Sequence, residues 1–334
     1  MRIGYRILFL FTLIVLLGGA GVLSAASVDE AKKEGRLIWY TSLRNTESDA
    51  MANGFQAKYP FIEVTQFRGG GGPALVSKIL SEARAKQYRF DVADGRPETI
   101  APLMDQGLVA KYCSPERQFF EKGLRDDDCY WSSINIFPHV LAYNTQLVSS
   151  SEVPKTYPEV LAPRWKGKIS VDTAAYDWLD GLIIAWGEEK TVAYMRRLVA
   201  LNPILQRNVA MRVQLLGAGE FPLAFTYASH AEYFKRQGMP INWVPLEPVP
   251  IQLQILLLGS RAAHPNAAKL FIDFLLSKEA QEIQRSLSRI PARLDVAPDP
   301  PELFRGYKKV FVPPKSTKRF EEIAQLYREI FGPP

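Results

Sequence analysis

Three arginines stand in short polar segments that follow apolar stretches of the chain: Arg44, Arg68 and Arg96. A guanidinium group donates several hydrogen bonds in a planar fork, which suits a carboxylate or a phosphonate. If the three segments lie side by side in the fold, the arginines predict an anion site, with Arg96 as the first candidate. The alternative is that they are surface arginines, as most arginines are.

Hydroxyl groups stand beside the first of these arginines, on Tyr40, Thr41 and Ser42. Each can donate a hydrogen bond to a ligand oxygen, and the Tyr40 ring can stack on a ligand. The same residues could instead form the turn that caps the next helix. Both interpretations stay open.

A glycine run over residues 69–72 precedes a helical pattern, and Gly70 and Gly71 lie at its centre. Glycines let a backbone approach a ligand closely, and a helix N-terminus favours anions. No Gly-Lys-Ser/Thr follows, so this is not the lysine-containing phosphate loop. We expect ligand contact here, with a flexible turn as the alternative.

The second half of the chain offers aromatic and cationic candidates. Tyr176 and Trp178 could form a stacking wall, with Asp177 between them as an acceptor, although the three could equally pack within a lobe. Arg207 and Arg212 lie before and within a predicted helix, and one of them could contact a ligand, with a surface position on the helix as the alternative. Tyr227 ends an apolar strand and is the strongest candidate contact of this half.

The three histidines are weaker candidates. His230 could be a pH-sensitive contact or simply the start of a helix. His139 and His264 are expected to be structural.

The elements that would position these residues alternate between strand and helix. Apolar runs over 37–40, 62–67 and 90–93 are each followed by a helical pattern. This alternation predicts an α/β fold with mostly parallel sheets flanked by helices. Ligands of such sheets gather at the carboxyl ends of the strands, which is where the three arginine segments would lie.

Composition limits the classes of function. The chain has 334 residues, 47% of them hydrophobic and 23% charged. That length is too great for one comfortable core and predicts two lobes. The net charge of +6 is mild and no dense Lys/Arg block exists, so nucleic acid is not an expected partner.

The N-terminus predicts export. Arg2 and Arg6 precede an apolar stretch over 7–23, and Ser24-Ala25-Ala26 follows. This order is typical of a secretory signal peptide over residues 1–26, cleaved near Ala26. The alternative is an uncleaved membrane anchor. We therefore expect a periplasmic protein.

Two cysteines, Cys113 and Cys129, lie in the predicted mature part. In an oxidising compartment we expect them to form one structural disulfide that closes a short loop. The alternative is a pair of free buried thiols. With His139 they do not form a convincing metal spacing.

Several segments in order along the chain carry a resemblance to a known family. They are Ile38-Trp39-Tyr40-Thr41-Ser42, Arg68-Gly69-Gly70, Asp91-Val92, Val140-Leu141-Ala142-Tyr143-Asn144, Pro163-Arg164-Trp165-Lys166-Gly167-Lys168-Ile169 and His264-Pro265-Asn266-Ala267-Ala268-Lys269-Leu270-Phe271-Ile272. The chain resembles the extracellular solute-binding proteins of ABC importers, in the branch that includes ferric-ion-binding proteins.

The resemblance implies a type II periplasmic binding fold with two lobes and a ligand cleft between them. Residues 27–136 plus 254–290 would form the first lobe, and residues 137–253 plus 291–334 the second. Such a protein binds a small molecule or an ion, closes by a hinge and docks on an ABC transporter permease in the membrane. We expect it to act as a monomer and not as an enzyme.

The chain departs from the ferric-binding pattern at its metal ligands. Those relatives hold the metal with two adjacent tyrosines after a second-lobe strand, whereas here Tyr227 is followed by Ala228. The segments over 41–45 and 68–72 also lack Asp and Glu. We therefore predict no cofactor, and an anionic solute or iron held by an anionic chelator in preference to Fe³⁺ alone.

Two other functions stay open. A secreted hydrolase is one, although neither Gly-x-Ser-x-Gly nor His-Glu-x-x-His occurs. A receptor whose closed form signals to a membrane sensor is the other.

Overall fold

The structure is a computed structural model that describes residues 27–68 and 72–332. The predicted signal peptide over 1–26 and the predicted contacts Gly70 and Gly71 lie outside these residues. Within the described ranges the helices are α1 Val28–Glu34, α2 Asn45–Lys58, α3 Gly72–Arg84, α4 Pro97–Asp105, α5 Tyr157–Val160, α6 Tyr176–Trp186, α7 Glu188–Val199, α8 Val209–Ala218, α9 Ala228–Arg236, α10 Pro265–Leu276, α11 Lys278–Ser286 and α12 Thr317–Phe331.

The strands of the same ranges are β1 Arg36–Thr41, β2 Glu63–Arg68, β3 Val92–Gly95, β4 Val109–Ala110, β5 Ser132–Asn144, β6 Ile169–Val171, β7 Ile204–Leu205, β8 Leu223–Tyr227, β9 Ile241–Val244, β10 Val249–Gly259, β11 Ile290–Pro291 and β12 Lys309–Val312.

Local sequence explains where the elements begin and end. The Ser27 hydroxyl accepts a hydrogen bond from the Glu30 backbone N–H and starts α1, and Gly35 ends it at a left-handed φ of 68°. Both long strands, β5 and β10, are buried along their whole length. β10 is mostly apolar, whereas β5 also buries polar side chains such as Asn135 and His139.

The strands pair in the order β2-β1-β3-β10-β5-β8-β6-β7. Strand β1 runs parallel to β2 and β3, and β6 runs parallel to β7 and β8. Between these parallel groups, β5 and β10 run antiparallel to each other and to β8 and β3. The mixed α/β fold class predicted from the strand–helix alternation is confirmed.

Strand β5 belongs to both halves of the molecule. Its first part, Ser132 to Pro138, pairs with β10, and its second part, His139 to Asn144, pairs with β8 and β9. The largest hydrophobic cluster lies around β1, β3, β10 and α10 and includes Trp39 and Phe271. Two further clusters lie around β6, β8 and α6 and around α8 and α9. We call the half around the first cluster the first lobe and the other half the second lobe.

Cys113 and Cys129 form a disulfide, with their Cα atoms 5.0 Å apart, as the sequence predicts. It joins the segment that follows β4, which contains Cys113, to the turn before β5, which contains Cys129. Among the helices of the described residues, none is both long and apolar enough to cross a bilayer.

Candidate functional site

A cavity of about 480 Å³ lies between the two lobes. Its volume falls within the range of small-molecule sites, about 300–1,000 Å³. Its wall combines cationic, aromatic and small polar residues from both lobes: Arg96, His139, Asp172, Ala174, Ala175, Trp178, Arg207, Asn208, Val209, Arg212, Phe225, Thr226 and Tyr227. The sequence predictions Arg96, Trp178, Arg207 and Tyr227 meet here.

Four helices begin at the wall of this cavity. The residues at their N-caps are Arg96 for α4, Ala175 for α6, Asn208 for α8 and Tyr227 for α9. Each helix N-terminus carries partial positive charge and backbone N–H groups that lack a partner inside the helix. Their convergence makes the cavity attractive to a negatively charged group.

Arg96 comes from the first lobe and faces the second. Its guanidinium carbon lies 5.7 Å from the ring centroid of Tyr227 and 5.8 Å from that of Phe137. Within the described ranges its guanidinium group makes no hydrogen bond and no ion pair, and the charges of Glu98, Asp177 and Asp172 act on it from a longer distance. A cation held between two rings and without an acceptor is poised to bind an anion.

The other two arginines of the wall differ in what they contact. Arg212 is 1% exposed and bonds internally, to Asp172 at 3.0 Å and to Ser170 Oγ at 3.2 Å. Arg207 is exposed, and its side chain has no ion pair among the residues that the structure covers. Because Arg212 neutralises Asp172, the wall has a net positive charge from Arg96 and Arg207.

Tyr227 is fixed by a buried hydrogen-bond network. Its hydroxyl lies 3.1 Å from Asp177 Oδ2 and 2.9 Å from Gln252 Oε1. Asp177 also contacts His139 Nε2 at 2.5 Å, and Gln252 Nε2 donates to Glu98 Oε1 at 3.3 Å. The network therefore runs from the second lobe through β10 to α4 of the first lobe.

The environment of this network shifts several pKa values. Burial, followed by the charge of Asp177, raises the pKa of Tyr227 well above its ordinary value, so the phenol stays neutral. Burial would raise the pKa of Asp177 as well, but His139 and Arg96 hold it below its ordinary value. Burial raises the pKa of Glu98 to about 7.

Thr226 adds an open polar atom to the cavity wall. Its side chain is 3% exposed, and its hydroxyl oxygen has no hydrogen-bond partner in the described part of the chain. Buried polar atoms without a partner are rare in native proteins. Since Thr226 lines the cavity, this hydroxyl is a candidate hydrogen-bond donor to a ligand there.

The other sequence candidates of the first lobe bond within the protein. The Tyr40 hydroxyl donates to the Glu82 carboxylate at 2.9 Å, and its ring packs on Phe67. Ser42 donates to Asp94 through both its backbone N–H and its hydroxyl, and buried Thr41 accepts from the Leu43 N–H at 3.1 Å.

The polar turn after β1 is organised by Asp94. Its carboxylate accepts from Trp39 Nε1 at 2.9 Å and from Gln254 Nε2 at 2.6 Å, in addition to Ser42. Burial raises the pKa of Asp94 to about 6 despite these hydrogen bonds. The turn therefore connects β1, β3 and β10 and is not free to bind a ligand.

Two of the three sequence-predicted arginines lie away from this cavity. Arg44 is the N-cap residue of α2 and pairs with Glu47 at 2.6 Å. Arg68 is exposed and donates to Asn45 Oδ1. Arg44 and Arg68 thus bond at the start of α2, apart from Arg96.

Tyr176 and Trp178 flank the start of α6 in different surroundings. Tyr176 packs on Phe320 and Tyr327 of α12, at ring-centroid distances of 5.8 and 5.4 Å. Trp178 is fully buried, and its ring lies 4.3 Å from that of Phe225. Trp178 supports the cavity wall from behind, and Tyr176 joins the C-terminal helix to the second lobe.

Sequence reasoning missed Asn208, Thr226 and Phe137 as site residues. Asn208 has a positive φ of 79°, and its side chain accepts from the Met211 N–H, which starts α8. Thr226 directly precedes Tyr227, so its place at the end of β8 was a usable signal. Phe137 lies mid-strand in β5, where nothing local distinguishes it from a core residue.

The comparisons with known proteins agree with this fold. Residues 50–309 match the model of the family described as bacterial extracellular solute-binding protein. This match covers more than half of the chain, so the chain belongs to that family. The resemblance seen in the sequence is confirmed, and the protein binds a solute.

Particular relatives bind different solutes. The chain is 23% identical over 282 residues to an Fe(3+)-binding periplasmic protein of Serratia marcescens, covering 78% of each chain. Iron-bound HitA from Pseudomonas aeruginosa has a TM-score of 0.74 at 21% identity, with 88% of this chain and 99% of that chain covered. AfuA from Actinobacillus pleuropneumoniae, with fructose-6-phosphate bound, has a TM-score of 0.72 at 22% identity, with 89% and 99% covered.

Proposed function

We propose that this protein is the periplasmic solute-binding component of an ABC importer and that it captures a small anionic solute. The observation that carries the proposal is a pair of unpartnered groups at the cavity wall, the Arg96 guanidinium and the buried Thr226 hydroxyl, among four helix N-termini. A carboxylate or phosphate oxygen would accept from both groups and from the helix N–H groups.

In this proposal, iron binds only as a complex with an anion. Fe³⁺ favours several anionic oxygen ligands, and the wall offers Asp172, which Arg212 already pairs, and a neutral Tyr227. Among the described residues no group of three or more His, Cys, Asp or Glu side chains could hold a metal ion. Since named relatives bind iron, a ferric complex with an anionic chelator is the iron species that would suit this wall.

Solute capture would proceed by hinge closure about β5 and β10, the strands that run from one lobe into the other. We propose residues 27–136 plus 254–290 as the first lobe and 137–253 plus the C-terminal helix as the second. We also place the segment over 291–304 in the first lobe, and not in the second lobe as expected from the sequence, because Ala292, Leu303 and Phe304 pack in the core of the first lobe. The closed monomer would then dock on a membrane permease.

The proposal is tested by the melting temperature of the purified mature protein. A ligand that binds only the folded state raises this temperature by mass action. We expect inorganic phosphate or citrate to raise it in a dose-dependent manner, and calorimetry to show saturable binding of the same anion. A large rise with Fe³⁺ alone, and none with either anion, would show the proposal to be wrong.

A further inference from the structure

A second, smaller cavity of about 80 Å³ lies between the lobes beside the first. The first lobe contributes the N-cap of α2 and the turn after α11, and the second lobe contributes α8 and the first two turns of α9. Its lining residues are Arg44, Ala210, Ser229, His230, Tyr233, Phe234, Leu287, Ser288 and Arg289. The space exceeds the roughly 30 Å³ that one water molecule occupies in the liquid.

The charge around this cavity is unbalanced. Arg44 Nη2 and Arg289 Nε lie 2.6 and 2.7 Å from the same oxygen of Glu47, whose side chain is 1% exposed. Two guanidinium groups thus share one carboxylate, which leaves one positive charge uncompensated. Burial, and then Arg289 and the neighbouring arginines, lower the pKa of His230 to about 3, so the imidazole is neutral.

Two buried polar atoms, on residues that line this space, lack a hydrogen-bond partner among the described residues. Ser229 is 6% exposed, and neither its Oγ nor His230 Nδ1 has a hydrogen-bond partner in the ranges that the structure covers. Both residues lie in the first turn of α9, where the helix N-terminus favours negative charge. A hydroxyl donor, a helix N-terminus and excess positive charge together favour an anion as the missing partner.

One aromatic ring, that of Phe137, lies close to an arginine of each cavity. The guanidinium carbons of Arg96 and Arg289 lie 5.8 and 5.7 Å from the centroid of Phe137. Tyr227 and His230, which line one cavity each, have ring centroids 5.9 Å apart. The two spaces are therefore close neighbours.

We infer that the smaller cavity is a second anion-binding subsite, formed by Ser229, Arg289 and the N-terminus of α9, for a carboxylate or phosphate group. Resting on the proposed function, this inference makes the solute a molecule with two acidic groups, or a pair of anions bound together. Either source presents the same chemistry to Ser229.

The test is calorimetric titration of the mature protein with inorganic phosphate. We expect two phosphates per chain. Ser229→Asp places a carboxylate in the smaller cavity, at a helix position that accepts Asp, and should remove one phosphate. Ser229→Ala is the matched control, which keeps both phosphates and weakens one about 3- to 10-fold, the value of one hydrogen bond. Arg96→Ala should weaken the other phosphate about 10- to 100-fold, the value of one charged hydrogen bond.

The outcomes separate this inference from the proposed function. If Arg96→Ala weakens phosphate binding and Ser229→Asp leaves it unchanged, the second subsite is overturned and the proposed function stands. If Ser229→Asp loses a phosphate and Arg96→Ala binds phosphate like the wild type, the subsite is supported and the proposed function is contradicted. No binding by the wild type would overturn both.

A second variant and a second arm complete the design. If Ser229→Asp does not fold, Ser288→Asp introduces the same charge from the first lobe, at a φ of 59° that Asp tolerates. In the second arm, fructose 1,6-bisphosphate competes with the bound phosphates. If one molecule of fructose 1,6-bisphosphate displaces both phosphates, the two subsites bind one solute. If it displaces one phosphate or none, they bind separate anions.

Discussion

The two walls of the cleft differ in how many of their polar groups are already used. In the first lobe, at β1 and the turn after it, Tyr40 donates to Glu82, and Ser42 and Trp39 donate to Asp94. On the second-lobe wall, Thr226 has an open hydroxyl within the described residues, and the N-termini of α6, α8 and α9 face the cavity. The first wall contributes one open group to that cavity, the Arg96 guanidinium.

This difference shows what a strand-end position can and cannot reveal. The carboxyl ends of the parallel strands do gather near the cleft, as the topology requires. Whether a side chain at such an end is free for a ligand depends on partners that are far away in sequence, such as Gln254 for Asp94. Hydrogen-bond accounting therefore decides the site once the fold places it.

The largest effect expected concerns the rigidity of the second wall. Trp178→Ala removes a fully buried ring that packs on Phe225, and should lower the free energy of unfolding by about 3–5 kcal/mol. Urea unfolding measures the change. Leu147→Ala, at a residue that is 54% exposed, is the control and should stay within about 0.5 kcal/mol of the wild type. Similar small losses in both variants would contradict a supporting role for Trp178.

The next effect compares two arginines of the first lobe, one at the cavity and one away from it. Arg96→Ala should weaken phosphate binding about 10- to 100-fold, which corresponds to the 1.5–3 kcal/mol of a charged hydrogen bond. Arg68→Ala should leave the affinity unchanged, because Arg68 is exposed and bonds to Asn45. Calorimetry measures both, and equal losses would remove the contrast between these arginines.

A pH effect would sharpen the comparison at Glu98, which links α4 to the network of Tyr227. Burial raises its pKa from 4.5 to about 7, so the folded state binds the proton more tightly than the unfolded state. This stabilising contribution is full below pH 4.5 and is lost as the pH rises through 7. Glu98→Gln has no carboxyl group to titrate at this position, so it should not show this loss of stability.

The stability of Glu98→Gln relative to the wild type should therefore increase by about 1–2 kcal/mol between pH 4.5 and 7, allowing for the part-exposed position of Glu98. Urea unfolding of both proteins across this range measures it. A difference that stays constant with pH would show that Glu98 is ionised throughout.

The smallest effect compares one hydroxyl from each wall. Thr226→Val should weaken phosphate binding about 3- to 10-fold and leave stability unchanged, because the lost hydroxyl has no partner within the described protein. Ser42→Ala should do the reverse, lowering the free energy of unfolding by about 1 kcal/mol with unchanged affinity. Binding and unfolding measurements on both variants check this contrast. If both variants change affinity and stability alike, the two hydroxyls do not differ in their use.

Much of the fold was predictable because its signals are local. Apolar runs over 37–40 and 223–227 are strands, and Ser27 and Gly35 begin and end the first helix as the capping rules predict. The pairing of β5 with β10 was not predictable in this way. It joins residues more than a hundred positions apart, and no periodicity encodes that choice.

The candidate site was predictable only in part. Arg96 and Tyr227 stand out by residue type at the ends of β3 and β8, and the structure brings both to the cavity. Tyr40 and Ser42 had the same sequence signal, yet their hydroxyls bond to Glu82 and Asp94. Residue type and spacing do not record which acceptor a buried hydroxyl will find.

The late position of β10 and α10 in the chain has a consequence for biogenesis. Trp39 of β1 packs on Phe271 of α10 at a ring-centroid distance of 5.0 Å, so the core of the first lobe needs residues made more than two hundred positions later. A partly synthesised chain leaves this apolar surface uncovered and cannot complete the lobe. For a polypeptide threaded through a secretion channel, such delay would preserve the unfolded form that translocation requires.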